Sequence, residues 1–250
     1  MTILAFYSIK GGVGKTAAAV NLAYLSSRDG FKTLLCDLDP QGSASYYFRV
    51  RTPKKFNSEK LLEGGKKVGR TIRGSDYANL DILPADFSYR LLDIALSNRK
   101  RSMKWLKEML TPFEDEYDNI FLDCPPNITL LSENVFFAAD YILLPFVPTT
   151  LSRLTYDKLL KFFNTSKLDQ SGIVPFFSMV EQQKTIHKEI IREMSGNNHF
   201  LKSQIPYASD IEKMGIFRKP VACMQARSKA TASFEELWNE LKEIIDRGWK

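Results

Sequence analysis

Seven short apolar runs recur along the chain, and their residues are continuously apolar instead of alternating with polar ones. The runs are Ile3–Tyr7, Thr33–Leu38, Leu80–Leu83, Asn119–Leu122, Tyr141–Val147, Ile173–Val180 and Lys202–Tyr207. Continuous apolar runs are typical of strands buried on both faces, as in parallel sheets. The pattern therefore predicts seven buried strands.

Between most of these runs lie segments whose apolar residues recur at helical spacing. The predicted helices are Thr16–Arg28, Leu91–Leu110, Leu130–Ala138, Ser152–Asn164, Thr185–Met194 and Thr231–Asp246. Strands that alternate with helices indicate an α/β fold, in which a mostly parallel twisted sheet is flanked by helices on both faces.

Residues 50–78 fit this alternation least well, because Gly, Pro, Lys and Arg dominate there and the periodicity fades. A chain of 250 residues can form one large α/β domain or two small ones. We expect a single domain over residues 1–250, with residues 50–78 as a basic, exposed and mobile excursion.

The composition is ordinary for a globular protein, with 44% hydrophobic and 26% charged residues. No apolar run approaches the roughly 18–20 residues of a membrane span, and Met1–Phe6 lacks the basic start of a signal peptide. Cys36, Cys124 and Cys223 are far apart and odd in number, which favours buried thiols in a reducing compartment. We therefore expect a cytoplasmic protein.

The net charge of +6 is concentrated in one segment. Residues 49–73 contain nine basic and two acidic residues, a local balance of +7, so the rest of the chain sums to −1. A second basic group comprises Arg99, Lys100, Arg101, Lys104 and Lys107. Such clusters indicate either a polyanionic partner or a solvated loop, and both interpretations stay open for residues 49–73.

The first predicted strand leads into the loop SIKGGVGKT at residues 8–16, which a helix follows. Strand, glycines and helix in this order form the setting of a phosphate-binding loop. Its glycines, Gly11, Gly12 and Gly14, allow the backbone amides and the helix N-terminus to approach a phosphate. Lys15 is predicted to bind the β- and γ-phosphates of a nucleotide, and the Thr16 hydroxyl to bind Mg²⁺.

Three carboxylates follow buried strands. Asp37 and Asp39 end the run TLLCDLDPQ at residues 33–41, and Asp123 ends the run DNIFLDCPP at residues 118–126. Asp39 either points to the same side of the strand as Asp37 or falls in the following loop. Ligands of parallel α/β sheets gather at the carboxyl ends of strands. One such aspartate could cap a helix, but three favour Mg²⁺ and an attacking water.

These motifs resemble the ParA/MinD family of deviant Walker A ATPases. KGGVGKT at residues 10–16 matches the family's loop, in which Ile9 need not be glycine, and DLDPQG at residues 37–42 is similar to a motif of the ParA branch. DCPP at residues 123–126 looks like its Walker B and switch, and weaker similarity at residues 205–206 and 219–221 extends the resemblance over nearly the whole chain. The resemblance implies a P-loop NTPase architecture and an ATPase of plasmid or chromosome partition.

The resemblance also implies a homodimer that encloses two ATP molecules. Lys10 of one protomer would contact the phosphates bound by the other, supplying a cation in trans. Lys15 would act in cis, and Asp39 would orient or deprotonate the attacking water. Asp37 and Asp123 would hold Mg²⁺, mainly through waters.

Other nucleotide contacts are also implied by the family. The backbone of Val13 belongs to the phosphate loop, and adenine is expected near Met179–Glu181 and Pro206–Tyr207, where relatives place it. Ala17 departs from the pattern, because relatives usually carry a second Thr or Ser there. We expect weaker or altered nucleotide contacts at this position, with binding retained by the backbone cradle.

Related ATPases use the ATP-bound dimer to grip DNA in the ParA branch and membrane in the MinD branch. DNA binding without sequence preference needs basic side chains. Candidates are residues 49–73 and four residues near the C-terminus, Arg218, Lys219, Arg227 and Lys229. Each of these basic residues, considered singly, is more simply explained as a solvated surface charge. The expected partner is a ParB-like centromere-binding protein or a cargo adaptor, which stimulates slow hydrolysis. Nucleoid association in the ATP state follows from DNA binding.

A MinD-like membrane ATPase is one alternative. The predicted helix Thr231–Asp246 is amphipathic, but its polar side carries five acidic residues against Lys242, so anionic lipid would repel it and packing on the core is favoured. An ATP-dependent metabolic enzyme on the same fold stays open. An iron–sulfur protein and a nucleotide-free binding module fit poorly. His187 and His199 are expected to be isolated surface residues.

Overall fold

A computed structural model describes residues 1–100, 102–196 and 200–248 of the chain. The eight strands are β1 Thr2–Phe6, β2 Thr33–Asp37, β3 Arg73–Gly74, β4 Leu80–Leu83, β5 Asn119–Asp123, β6 Tyr141–Phe146, β7 Ile173–Val180 and β8 Gln204–Pro206. They form one sheet in the order β3-β4-β2-β5-β1-β6-β7-β8. Neighbours pair in parallel except β3 and β4, which are antiparallel. The predicted mostly parallel sheet is confirmed, with the two-residue β3 added.

The α-helices are α1 Lys15–Arg28, α2 Ser43–Tyr47, α3 Ser58–Glu63, α4 Gly65–Gly69, α5 Leu92–Ser97, α6 Trp105–Leu110, α7 Leu130–Ala138, α8 Thr150–Thr165, α9 Thr185–Ser195, α10 Ser209–Phe217, α11 Val221–Met224 and α12 Lys229–Arg247. Short 3-10 helices cover Phe87–Leu91, Ser102–Lys104 and Thr111–Phe113. The helix predicted over Leu91–Leu110 is thus wrong as a single element, because α5 ends at Ser97 and α6 begins only at Trp105.

Alternate side chains of β1 belong to two different apolar cores. Ile3 and Ala5 pack with residues of α7 and α8, whereas Leu4 and Phe6 pack with residues of α1 and α12. Because successive side chains of a strand point to opposite faces, helices cover both faces of the sheet. All carboxyl ends of the parallel strands are therefore left at one edge, where loops can form a site.

The segment of residues 50–78 contains two helices, α3 and α4, and the strand β3. Its apolar side chains Phe56, Leu61 and Val68 are buried in the core, and Asn57 caps α3 by accepting from the Lys60 amide at 3.1 Å. Eight of the nine basic residues between 49 and 73 are exposed, and Lys60 is half-buried. The segment is thus anchored by its apolar residues, and its mobility stays a prediction.

The helix α12 packs its apolar side against the core, as expected. Phe234, Leu237 and Trp238 are buried, and the Trp238 indole donates to Asp29 at the end of α1 at 3.0 Å. Over the residues that the structure describes, no helix is long and apolar enough to span a membrane.

The expectation that His187 lies at the surface is wrong. His187 is buried on α9, and its Nδ1 accepts a hydrogen bond from the Glu181 amide at 3.1 Å. Its polar ring therefore closes the turn between β7 and α9. His199 and Arg101 lie outside the described residues.

Candidate functional site

The glycine-rich loop between β1 and α1 is held against β7. Gly12 and Gly14 have positive φ, 70° and 92°, which only glycine adopts readily. A Cβ on Gly14 would lie 2.8 Å from Ser178 Oγ, and that hydroxyl donates to the Val13 carbonyl at 2.9 Å. Ser178 therefore fixes the path of the loop and leaves no room for a side chain at Gly14.

Lys15 begins α1 and is only 7% exposed. Its Nζ donates to the Lys10 carbonyl at 3.1 Å, which closes the loop around the ammonium group. Burial lowers the pKa of Lys15, and the nearby Asp123, Cys124 and Asp39 oppose that shift. A buried cation beside backbone amides at a helix N-terminus is suited to bind an anion such as a phosphate.

Asp37 and Asp123 are the last residues of the adjacent strands β2 and β5 and stand opposite each other in the register. Both are fully buried. Asp37 Oδ2 accepts from the Ser45 amide and the Ser45 hydroxyl, each at 2.7 Å. Among the described residues, Asp37 Oδ1 and both carboxylate oxygens of Asp123 have no hydrogen-bond partner.

Buried polar atoms are nearly always paired, so these three oxygens indicate a ligand that the protein itself does not supply. Burial raises the pKa of Asp37 to about 6. Burial, and next the Asp37 charge, raise the pKa of Asp123 well above its ordinary value, while the Thr16 hydroxyl and the Lys15 ammonium oppose the rise. Two buried carboxylates that repel each other fit a cation, and their oxygen atoms fit Mg²⁺.

Asp39 lies in the loop after β2, which was one of its two predicted placements. Its Oδ1 accepts from the Gln41 amide at 2.9 Å. Asp39 also lines a cavity of about 370 Å³. Its carboxylate is therefore accessible, unlike those of Asp37 and Asp123.

The cavity brings together most of the predicted nucleotide contacts. The predicted residues that line it are Gly11, Gly12, Gly14, Lys15, Thr16, Ala17, Asp39, Met179, Pro206 and Tyr207. The side chain of Val13, which belongs to the same loop, is buried and does not line the cavity. Glu181 lines an adjoining cavity of about 240 Å³. Phosphate-loop residues and the expected adenine residues thus line the same cavity.

Several residues at the site carried no signal in the sequence. Ser43 and Tyr47 of α2, Glu212 of α10 and Phe234 of α12 line the cavity, and they come from elements far apart in the chain. Met179 has a φ of 54° where the pairing of β7 with β8 shifts register. Such strain in a residue other than glycine is typical of functional sites.

Lys10 is placed apart from the cavity that its own loop forms. It is half-buried and lines a small cavity beside α8, with Ser152 and Tyr156. Within residues 1–100, 102–196 and 200–248, no hydrogen bond or ion pair involves Lys10 Nζ. The ammonium group of Lys10 is therefore not needed to build its own site.

The basic residues near the C-terminus lie outside the cavity. Arg218 donates to the Tyr46 carbonyl at 2.8 Å, and its guanidinium lies 4.4 Å from the centre of the Tyr46 ring. In return, Arg49 donates to the Phe217 carbonyl at 3.0 Å. These two contacts tie the end of α2 to the end of α10.

The other three candidates are more accessible than Arg218. Lys219, Arg227 and Lys229 are exposed, although Lys229 Nζ donates to Gln182 at 3.3 Å. Lys219 and Arg227 flank the short helix α11, and Lys229 is the first residue of α12.

The chain is similar to known proteins in both sequence and structure. The model of a family described as an AAA domain matches residues 1–175. A virulence plasmid ParA family protein of Chlamydia psittaci is 34% identical, over 99% of this chain and 95% of that protein. The chromosome-partitioning ATPase Soj of Treponema pallidum is 28% identical, over 95% and 96% of the two chains. A crystal structure of a Borrelia burgdorferi plasmid partition protein bound to AMPPNP has a TM-score of 0.83 and 25% identity, covering 97% of this chain and 99% of that one.

Proposed function

Because the chain belongs to the ParA branch of the ParA/MinD family of partition ATPases, we propose that it is a dimeric switch that hydrolyses ATP. In its ATP state it binds DNA without sequence preference, and it partitions or positions plasmid, chromosome or protein cargo. The observation that carries the proposal is that, among the described residues, three buried oxygens of Asp37 and Asp123 near Lys15 have no hydrogen-bond partner.

The activity is hydrolysis of ATP to ADP and phosphate, with Mg²⁺ as cofactor. Thr16, Asp37 and Asp123 would hold Mg²⁺, the two carboxylates mainly through waters; the ion supplies charge neutralisation at the phosphates when bound. Lys15 binds the phosphates, and Asp39 orients or deprotonates the attacking water. Ala17 lacks the hydroxyl that relatives usually have at this position, so the nucleotide makes one contact fewer. The backbone of the preceding loop, from Gly14 to Thr16, still surrounds the phosphates.

Lys10 acts on the nucleotide of the second protomer. Its position away from its own cavity supports this role, because the ammonium group is available to another surface. Lys10→Ala should abolish ATP-driven dimerisation or hydrolysis while nucleotide binding is largely retained. Light scattering measures dimerisation, and phosphate release measures hydrolysis. If the variant dimerises and hydrolyses ATP normally, Lys10 does not act on the nucleotide of the second protomer.

DNA is bound by basic surfaces, through phosphates and without reading bases. Lys219, Arg227 and Lys229 are exposed, as are eight of the nine basic residues between 49 and 73, and their exposure supports this role. Arg218 contributes mainly by holding α2 against α10, since its guanidinium is engaged with Tyr46.

A ParB-like protein or a cargo adaptor stimulates the slow hydrolysis and so times release from DNA. We place the protein in the cytoplasm and, when ATP is bound, on the nucleoid. Membrane attachment through the last helix is disfavoured, because the apolar side of α12 is buried in the core.

The deciding experiment measures binding to duplex DNA with ATP, with ADP and without nucleotide, over a salt series of about 50 to 200 mM. Binding should require ATP and should weaken steeply with salt. Equal binding in all three states, or none with ATP at low salt, would contradict the DNA switch. ATP hydrolysis measured in the same samples shows whether the enzyme itself is active.

A further inference from the structure

One exposed surface combines apolar and basic side chains and is used by neither the nucleotide site nor the DNA candidates. Phe87, Leu91 and Ile94, named here the α5 face, are spaced by four and three residues and are 64%, 44% and 64% exposed. Leu92, on the opposite side of the same segment, is fully buried. The segment is thus anchored in the core and exposes an apolar stripe of three side chains: Phe87 and Leu91 belong to the 3-10 helix that precedes α5, and Ile94 belongs to α5.

The α5 face lies beside the loop that borders the nucleotide cavity. Asp93 Oδ1 accepts from the Leu131 amide at 2.9 Å, which fixes α5 against the start of α7. Ile128, three residues before Leu131, is a further exposed apolar residue. Pro126, two residues earlier still, lines the nucleotide cavity. The chain from Pro126 to Leu131 therefore connects the nucleotide cavity to the helix start that α5 contacts.

Basic side chains lie on this segment and beside α7, the helix against which α5 is fixed. The Arg90 guanidinium lies 4.2 Å from the centre of the Phe87 ring, and Lys104 is exposed near an aromatic ring of α7. Residues 86–104 contain five basic and two acidic residues. Both acids, Asp86 and Asp93, are half-buried and accept backbone amides, so the charge offered to a partner is positive.

We propose that the α5 face docks an acidic segment of a partner protein, anchored by apolar residues at helical spacing. Apolar side chains of such a segment would cover Phe87, Leu91 and Ile94, as amphipathic helices do in apolar grooves. Its carboxylates would meet Arg90 and Lys104, and this charge complementarity selects the partner.

Three other occupants fit less well. DNA would pair with the cations but would leave the apolar stripe in water. Membrane binding strengthens with the apolar area that enters the lipid, and this segment offers three exposed apolar side chains because its other side is buried in the core. A second copy seated symmetrically would bring the same cations together, and like charges oppose such a contact.

The test uses two labelled peptides of about 18 residues, long enough for partial helix formation. Both carry leucines at the same helical spacing; the polar positions are Glu in one and Lys in the other. Fluorescence polarisation with the full chain should show binding of the Glu peptide that is at least about tenfold tighter. Equal affinities, or no binding of the Glu peptide, would overturn the proposal.

Variants locate the binding. Ile94→Ser and Lys104→Glu should each weaken the Glu peptide, whereas Ile216→Ser, at a residue 77% exposed on α10, should leave it unchanged. All three variants should keep wild-type ATP hydrolysis, which controls for folding. Equal weakening by Ile216→Ser would show that the peptide binds exposed apolar residues without preference, and would contradict binding at the α5 face.

The rival occupants are tested with the same variants. Loss of binding to vesicles of phosphatidylcholine and phosphatidylglycerol in Ile94→Ser would assign the surface to membrane, and loss of duplex DNA binding would assign it to DNA. Either result overturns the proposal, and unchanged binding supports it. Since the peptide titration needs neither ATP nor a dimer, its failure is distinguishable from failure of the DNA switch.

Discussion

Two regions of the molecule each gather charges of one sign, but they differ in burial. Acidic Asp37 and Asp123 lie at buried strand ends, whereas the basic residues of the segment 49–73 lie mostly at the surface. The two carboxylates are fully buried, and three of their oxygens have no hydrogen-bond partner in the part of the chain that the structure describes. In the basic segment, eight of nine cations are exposed. Water and salt screen exposed charges, whereas a buried charge costs several kcal/mol unless it is compensated. Function that depends on single residues is therefore expected at the strand ends, and function shared among many residues in the basic segment.

The largest effect is expected for Asp123→Asn. Loss of a buried carboxylate at the proposed Mg²⁺ site should reduce ATP hydrolysis by about 100-fold or more, as for other preorganised groups of an active site. The same change removes repulsion with Asp37, so the melting temperature without nucleotide should rise. Turnover assays and thermal melts together check both signs, and wild-type turnover would show that Asp123 has no part in the site.

A smaller effect is expected for Gly14→Ala. The new side chain would meet Ser178 Oγ at 2.8 Å and would need a φ of 92°, which costs about 1–2 kcal/mol for the backbone alone. The melting temperature and ATP affinity should both fall. Gly11→Ala is the matched control, because its Cβ meets nothing within 4 Å; equal melting temperatures would contradict the strained loop.

A third effect concerns pH without nucleotide or Mg²⁺. Burial raises the pKa of Asp37 from an ordinary 3.8 to about 6, so protonation stabilises the fold. This stabilisation, on the order of 3 kcal/mol, is complete below about pH 4 and is lost as the pH rises through 6.

Comparison with Asp37→Asn isolates the titration of Asp37 together with its effect on Asp123, whose pKa the Asp37 charge raises. Melting temperatures of the two proteins should diverge between about pH 4 and pH 7 in the absence of Mg²⁺, with the wild type falling relative to the variant. Added Mg²⁺ should reduce the divergence at pH 7. Parallel curves at every pH would mean that Asp37 is not destabilised by its burial.

The smallest effect is expected in the basic segment. Lys66→Ala should change the free energy of unfolding by less than about 0.5 kcal/mol and should lower the slope of DNA affinity against salt by about one. Lys158→Ala, at an exposed residue of α8, serves as the control. A loss of all DNA binding from Lys66→Ala alone would show that the basic segment does not share its charge in this way.

The sequence predicted best what depends on neighbours in the chain. The phosphate loop and the aspartates at strand ends follow from local order, because glycines, a helix start and buried strands are encoded within a few residues. The grip of Ser45 on Asp37 and the cavity contacts of Tyr47 and Phe234 arise only from the tertiary fold. His187 was misjudged for the same reason, since a hydrogen bond to the Glu181 amide decides its burial.

Secondary structure failed where packing overrides pattern. Residues 50–78 contain short helices too brief to show periodicity, and Asn98 interrupts the helix predicted from Leu91 to Leu110. Each of these elements is held by buried contacts with distant strands and helices. Local propensity alone is a weak guide to such pieces.

Two hydrogen bonds connect the end of α2, next to the proposed Mg²⁺ site, with the end of α10 at the surface. Arg49 holds Phe217 and Arg218 holds Tyr46, while Ser45 on the same five-residue helix grips Asp37. A shift of α2 by the filling of the site must either break these two bonds or carry the end of α10 with it. A displacement of α2 at the buried carboxylate is therefore expected to move the surface that bears Lys219 as well.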